Sequence, residues 1–296
     1  MIDHEISRAF SVKQRGWGMR IAVCGLLIAA LVQQASAADA PFPILRGAQT
    51  YEVGPPTYFR WEGMYAGAQV GAGTSNMNFR DAPTSIIAHG LRQSTLEGEF
   101  NVSQWVVLSS VDTRSASAGG FIGYNAQFED VVLGIEGNYN RTSLSASQAD
   151  SLGRAVTTAD GNTYHTFVNA SGSMHIQDYA TVRARAGWAA GRFLPYAMMG
   201  FAFGVADIQR TGFVDGMVVP PTVPPNPPPA PFPFGPWGGT ESKKAFIYGY
   251  SAGGGLDIAL TSRIFLRAEY EYVKFSPVMG MRANVQAGRV GAALRF

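Results

Sequence analysis

Arg289-Val290-Gly291-Ala292-Ala293-Leu294-Arg295-Phe296 closes the chain. Successive side chains of an extended strand point to opposite sides. Val290, Ala292, Leu294 and Phe296 therefore share one face, and Arg289, Gly291, Ala293 and Arg295 share the other. An apolar face backed by charges and glycines suits a strand that separates two different solvents. Ending on an aromatic residue, in a chain that opens with an export-like segment, the stretch predicts a transmembrane β-barrel of an outer membrane.

Seven further segments alternate in the same way: 63–73, 119–128, 131–141, 177–188, 193–207, 245–259 and 263–273. Each is about the length that a tilted spanning strand needs. Met64, Ile122, Leu133, Val182, Met199, Leu256 and Leu266 sit on the outward faces, and Tyr65, Asn125, Glu136, Arg183, Asp257 and Glu269 on the inward ones. Turns of a few residues join the second and third, fourth and fifth, and sixth and seventh segments. The connections 74–118, 142–176 and 208–244 are expected to be long loops, with a shorter one near Pro277. Short turns at one end and long loops at the other are the pattern of an outer-membrane barrel with its loops outside the cell. A soluble lipocalin-like barrel would instead carry a polar outward face. The predicted fold is thus an all-β, eight-stranded antiparallel transmembrane barrel.

The first 37 residues read as a cleavable signal. Lys13, Arg15 and Arg20 precede the apolar run 21–32, and Ala35-Ser36-Ala37 fits a small-x-small cleavage site. The run is too short to span a bilayer as a helix. Translation from Met1 or from Met19 fits equally. Export through the Sec pathway is expected, with an extended lead-in over 38–62 and the barrel over 63–296. The sole cysteine, Cys24, lies in the signal, so a mature chain has no thiol for a disulfide, a metal site or a nucleophile. The net charge is +2, and the signal alone carries Arg8, Lys13, Arg15 and Arg20 against Asp3 and Glu5. A near-neutral mature chain points to no nucleic-acid partner.

The inward charges nearly balance. Arg183, Arg185, Arg267, Arg289 and Arg295 face Glu136, Asp257, Glu269 and Glu271. Eight strands leave a lumen only wide enough for side chains, so an ion-pair plug is expected, with a narrow ion path as the alternative. Outward tyrosines and Trp188 are expected at the lipid interface. Ten of the 17 prolines lie in 220–236, which reads as a stiff spacer or a presented recognition rod.

His89, His165 and His175 are the histidines beyond the signal, and all are expected in or beside loops. None has a neighbour at metal-ligand spacing, and no P-loop, H-E-x-x-H or G-x-S-x-G motif occurs. Ser173, His175 and Asp178 are close in sequence without forming a recognised hydrolase motif. The chain is therefore read as no enzyme, with no catalytic, cofactor-binding or metal-ligating residue and no cofactor. Haemin capture by His165 or His175, and a lipid- or peptide-acting barrel, are minor alternatives.

Trp61-Glu62-Gly63-Met64-Tyr65-Ala66-Gly67 resembles the W-x-G-x-Y-x-G opening of the alphaproteobacterial Omp25/Omp31/RopB-like outer membrane immunogenic proteins. Gly120-Phe121-Ile122-Gly123-Tyr124-Asn125, Leu133-Gly134-Ile135-Glu136-Gly137-Asn138-Tyr139, Leu194-Pro195-Tyr196, Arg267-Ala268-Glu269-Tyr270 and the closing Val290 to Phe296 follow the same order. The resemblance implies an OmpA/OmpX-like barrel that presents loops at the cell surface, and it brings no catalytic residues. Partners implied are outer-membrane lipid (lipopolysaccharide or phospholipid) and the barrel-assembly machinery, engaged through the strand ending at Phe296. The chain departs from the smaller members in the segments 74–118 and 220–236, so the ligand of the loops is left open.

Overall fold

The computed structural model describes residues 59–222 and 229–296. The proposed signal, most of the lead-in and the centre of the proline run lie outside the described residues. Eight antiparallel strands close into a barrel in sequence order. They are β1 (Gly63–Asn78), β2 (Ser110–Phe128), β3 (Val131–Thr157), β4 (Thr163–Trp188), β5 (Phe193–Val219), β6 (Phe232–Ala259), β7 (Ile264–Phe275) and β8 (Arg282–Arg295). β1 pairs with β8 to seal the ring, and the Phe296 amide donates to the Met64 carbonyl at 2.9 Å. Phe296 itself lies one residue beyond the strand. In the spanning section closure leaves no strand edge, which is what allows a sheet to stand in lipid. Above it, among the described residues, β3 beyond Arg141 and β6 before Gly249 have no strand partner on their outer sides.

The register sets the tilt. The pairings run from Tyr65 through Gly123, Glu136, Arg183, Gly200, Ser251, Val273 and Val285. They return to β1 at Ser75, ten residues further up. This stagger tilts the strands and keeps the lumen narrow.

In the lower barrel the alternation holds as read. Met199, Phe201, Val70, Val290 and Phe296 are outward and exposed, whereas Glu136, Arg183, Asp257, Arg267 and Glu269 are buried. The short turns 129–130, 189–192 and 260–263 lie at the same end as Trp61 and Phe296.

The upper half departs from expectation. Most of 142–176 and 208–244 is strand, so β3 to β6 run to 27, 26, 27 and 28 residues. A spanning strand needs only about ten. β7 and β8 are short, at 12 and 14 residues, which makes the wall lopsided. Two features hid these extensions. A bulge between Ile176 and Asp178 flips the alternation of β4, so that Val168, Ala170, Met174 and Ile176 point inward on even numbers while Arg183 and Arg185 do so on odd ones. Polarity also inverts: above the bulge the inside is apolar, and Ser143, Ser145 and Ser147 face out. Pro233 lies within β6, paired with Met217, so the proline segment 220–236 is not wholly a loop.

The remaining long connection, 79–109, folds into two short helices, α1 (Thr84–Gly90) and α2 (Thr95–Phe100), and a 3-10 turn at Val102–Gln104. The Ser94 side chain accepts from the Leu96 amide and caps α2. Ile87, Leu91, Leu96 and Val102 bury into one apolar core with Val168, Met174, Ile208, Val214 and Val285 of the walls.

Candidate functional site: the luminal ion-pair network and the capped mouth

The lumen is filled in three layers. At the lower end Trp61, Tyr65, Phe121, Val132, Leu194 and Phe265 form an apolar floor. Trp61 meets Phe265 edge to face at 5.7 Å, and Tyr65 meets the same ring at 5.7 Å. The Trp61 amide donates to the Gln127 side-chain oxygen at 2.6 Å, and Asn125 donates to the Trp61 carbonyl at 3.2 Å. These bonds draw the entering chain across the opening.

Above the floor lies the charge layer. Arg183 donates to Glu136 Oε1 at 2.5 Å, to Glu269 Oε2 at 2.6 Å and to Glu271 Oε1 at 3.1 Å. Arg267 bridges Asp257 Oδ1 at 2.9 Å and Glu136 Oε2 at 2.7 Å. Arg185 reaches Asp257 Oδ2 at 2.7 Å, with its guanidinium 3.8 Å above the centre of the Tyr196 ring. Arg289 joins Glu271 Oε2 at 2.6 Å and Glu269 Oε1 at 3.1 Å, and also donates to the Tyr179 hydroxyl. The Tyr65 hydroxyl donates to Glu136 Oε2 at 2.7 Å and the Tyr196 hydroxyl to Glu269 Oε2 at 3.0 Å.

Four guanidinium groups thus meet four carboxylates, and none of the eight residues is more than 5% exposed. A water-filled passage would leave them wetted. Balanced charge with most donors and acceptors engaged is the condition under which ions can be held out of water at all. Glycine makes the room: a Cβ at Gly123 would overlap the Tyr65 hydroxyl, and one at Gly200 would sit 2.6 Å from the Arg183 Cα. The tyrosine hydroxyls are members that counting charges alone does not reveal.

Arg295 is a correction. Its parity is that of the luminal arginines, yet it lies at the lower rim. There it donates to the Ser262 carbonyl at 2.8 Å and stacks 4.6 Å from the Phe59 ring. The lumen at that level is already filled by the aromatic floor.

The third layer is the apolar core under the helices. Arg210 of β5 fastens it, with donor bonds to Ser85 Oγ at 2.9 Å, to the Ala82 and Met279 carbonyls at 3.3 Å each, and to Glu241 at 2.7 Å. Glu99 accepts from the Ala159 amide at 3.0 Å, and Arg154 lies 5.1 Å from the Trp105 ring centre. At the tip of the β3–β4 turn, a hydrogen bond from the Thr158 hydroxyl, joined by bonds from Asn162, holds the exposed Asp160 carboxyl below the usual range.

The histidines are not loop residues as expected. His89 is in α1, 3.1 Å from Arg92, while His165 and His175 both lie in β4. The latter two are ten positions apart, roughly 30 Å along a strand, so one ligand cannot join them. Asp178 accepts from the Tyr139 hydroxyl at 3.4 Å, and no hydrogen bond links Ser173, His175 and Asp178 among the described residues. No group of three or more histidine, cysteine or acidic residues is placed to hold a metal among the described residues.

The outward surface shows where lipid ends. Phe128, Trp188, Phe193 and Phe296 ring the lower end, and Tyr139, Tyr248, Tyr250 and Tyr270 the upper, all exposed. These are the two aromatic girdles of a membrane barrel. Just above the upper girdle the outward positions become Arg114, Arg141, Asp178 and Lys274.

Comparison with known proteins agrees with this architecture. A family model for the outer membrane protein beta-barrel domain matches residues 25–296. Among solved structures, Ail, the attachment invasion locus protein of Yersinia pestis, is 13% identical, with 80% of this chain and all of that one covered at a TM-score of 0.33. Neisserial surface protein A is 11% identical, with 79% of this chain and all of that one covered at a TM-score of 0.28. No curated protein matches. With an eight-stranded ring, a lipid-facing band between two girdles and a family match over most of its length, the chain belongs to the outer membrane protein beta-barrel domain family and is an integral protein of the outer membrane.

Proposed function

We propose that this barrel is a structural, surface-presenting protein of the cell envelope. It is a non-conducting anchor whose raised extracellular tip meets the environment or a host. The observation that carries this reading is the closed charge layer between two apolar layers, with all eight ionised residues buried. Such a lumen has no task in transport, and the tip is what remains in contact with the outside. The motifs from Trp61 to Phe296 support placing it with the Omp25/Omp31/RopB-like proteins. On the same reading the segment 1–37 is removed on export, and the terminal strand is what the assembly machinery engages. The mass of the protein recovered from the outer membrane tests cleavage after Ala37.

Planar-bilayer recordings of the refolded protein test the central claim. Silence is expected, and reproducible porin-sized steps defeat it. A narrow diffusion path is the second reading. It is favoured by buried polar atoms at Gln69, Ser75, Ser117 and Thr181 that lack a protein partner and suit luminal water. Small, stable conductance at the same recording settings would select it.

A further inference from the structure

The low side of the wall carries a lipid-facing trough. Its floor is a ladder of small outward residues in which Ala72 pairs with Gly288 and with Ala116. The bulky Tyr270 and Tyr139 stand on either side. Two shallow grooves of about 590 and 630 Å³ follow one another along β1 and β8, the upper reaching Thr74, Arg114 and Gln286 and the lower Val70, Val290 and Ala292. A Cβ at Gly288 would meet nothing within 4 Å, so the floor there is open space and not a packed contact.

The top of the trough is cationic. With the climb of ten residues per circuit, a level plane through Thr74 passes within about two residues of Lys274, Arg114 and Arg141. All three are exposed and outward. The surface ion pairs among the described residues are Arg60–Glu62, Arg210–Glu241 and Lys244–Asp207, so Lys274 and Arg114 are in none of them, while Arg141 stands opposite Asp178 across the β3–β4 pair without a direct ion pair. Lys274 and Arg114 are three strand spacings apart, roughly 14 Å, on either side of the floor. The acids nearby are Asp112, bonded to Asn76 at 2.7 Å, and Asp178, which accepts from Tyr139. On the opposite face Lys244, about four residues above that plane, is paired with Asp207. β7 and β8 end soon above this level, so no wall overhangs the cations.

We infer that the β7–β8–β1–β2 face is a binding site for one phosphorylated glycolipid of the outer leaflet. An acyl chain lies in the trough over Gly288, and headgroup phosphates lie between Lys274 and Arg114. A guanidinium suits a phosphate through paired hydrogen bonds. An acyl chain against an open floor of small residues gains contact that bulky side chains would deny it. The claim rests on the outer-membrane location and is independent of the surface-presenting role.

Native mass spectrometry of the detergent-solubilised protein tests it, with bis-phosphorylated lipid A, its dephosphorylated form and phosphatidylethanolamine as probes. Retention of one bis-phosphorylated lipid A in preference to the other two is expected. Arg114→Gln should lower that retention about tenfold, the loss of one charge-assisted contact, and abolish the preference, with Arg114→Lys restoring part of it. Gly288→Leu should fill the trough and lower retention of all three probes. Heat-dependent gel mobility confirms that each variant is folded. Equal retention of phosphorylated and dephosphorylated lipid A by the native protein, or retention in both variants equal to that of the native protein, overturns the site.

Discussion

Arg267 shows how much of this barrel is decided by single side chains. Its guanidinium serves Asp257 and Glu136 at once and lies 4.1 Å from the Phe121 ring. Replacing it by methionine keeps the bulk but leaves two carboxylates short of a partner. The variant Arg267→Met is expected to lose about 3–5 kcal/mol, because breaking a buried ion cluster strands its other members. The midpoint of urea unfolding in detergent measures this, and an unchanged midpoint would refute the network's structural role. Tyr65→Phe removes only the hydroxyl that Glu136 accepts from, so a smaller loss, about 2 kcal/mol, is expected in the same assay. The charged members of this cluster were legible in the sequence, since strand parity alone selects Glu136, Arg183, Arg267 and Glu269. Tyr179 and Tyr196 were not, because a tyrosine on an inward face is equally consistent with packing. Parity also admitted Arg295, because it says which way a residue points and nothing about how far up the lumen it sits.

At the scale of elements, the strands changed character partway along their length. Between Trp188 and Asp178, β4 presents Ala186, Ala184 and Val182 to lipid; beyond the bulge it presents Ser173 and Ser171 to water and turns Met174 and Val168 inward. Apolar-outward alternation ends at that point, which is why 142–176 and 208–244 read as loops. The boundary itself can be tested. Met199→Arg, in the lipid band, should cost about 2–4 kcal/mol of refolding stability, whereas Ser147→Arg above the upper girdle should cost close to nothing. Equal costs at the two positions would mean that the band has been drawn in the wrong place. The helices of 79–109 were also invisible, because each is too short to show a helical period. What holds them is tertiary: Ile87 and Leu91 in the core and Arg210 across the lip. Arg210→Ala should therefore release this segment, seen as several-fold faster proteolytic cutting within 80–109 while the strands stay resistant.

For the molecule as a whole, two cores of opposite polarity are stacked in one cylinder. The lower has a greasy exterior and an ionic interior, and the upper has an apolar interior sealed by the helices and a mainly polar exterior, broken by the exposed Phe167, Met217, Phe232 and Trp237. Either layer alone closes the lumen. Deleting 84–104 is thus expected to leave the protein silent in bilayer recordings, because the arginine–carboxylate layer lies beneath the cut. Steps appearing only in the deletion would show instead that the helices are the seal.

The raised half-wall has one more effect. From Asp178 to Thr163 the β4 backbone climbs roughly 35 Å past the lipid surface. That height carries the turn at Asp160 well clear of the lipid headgroups, so a large particle approaching that end of the barrel meets those few residues first. Substitution of the exposed Asp160 touches neither core, so the crest can change its identity while the shaft beneath it stays the same.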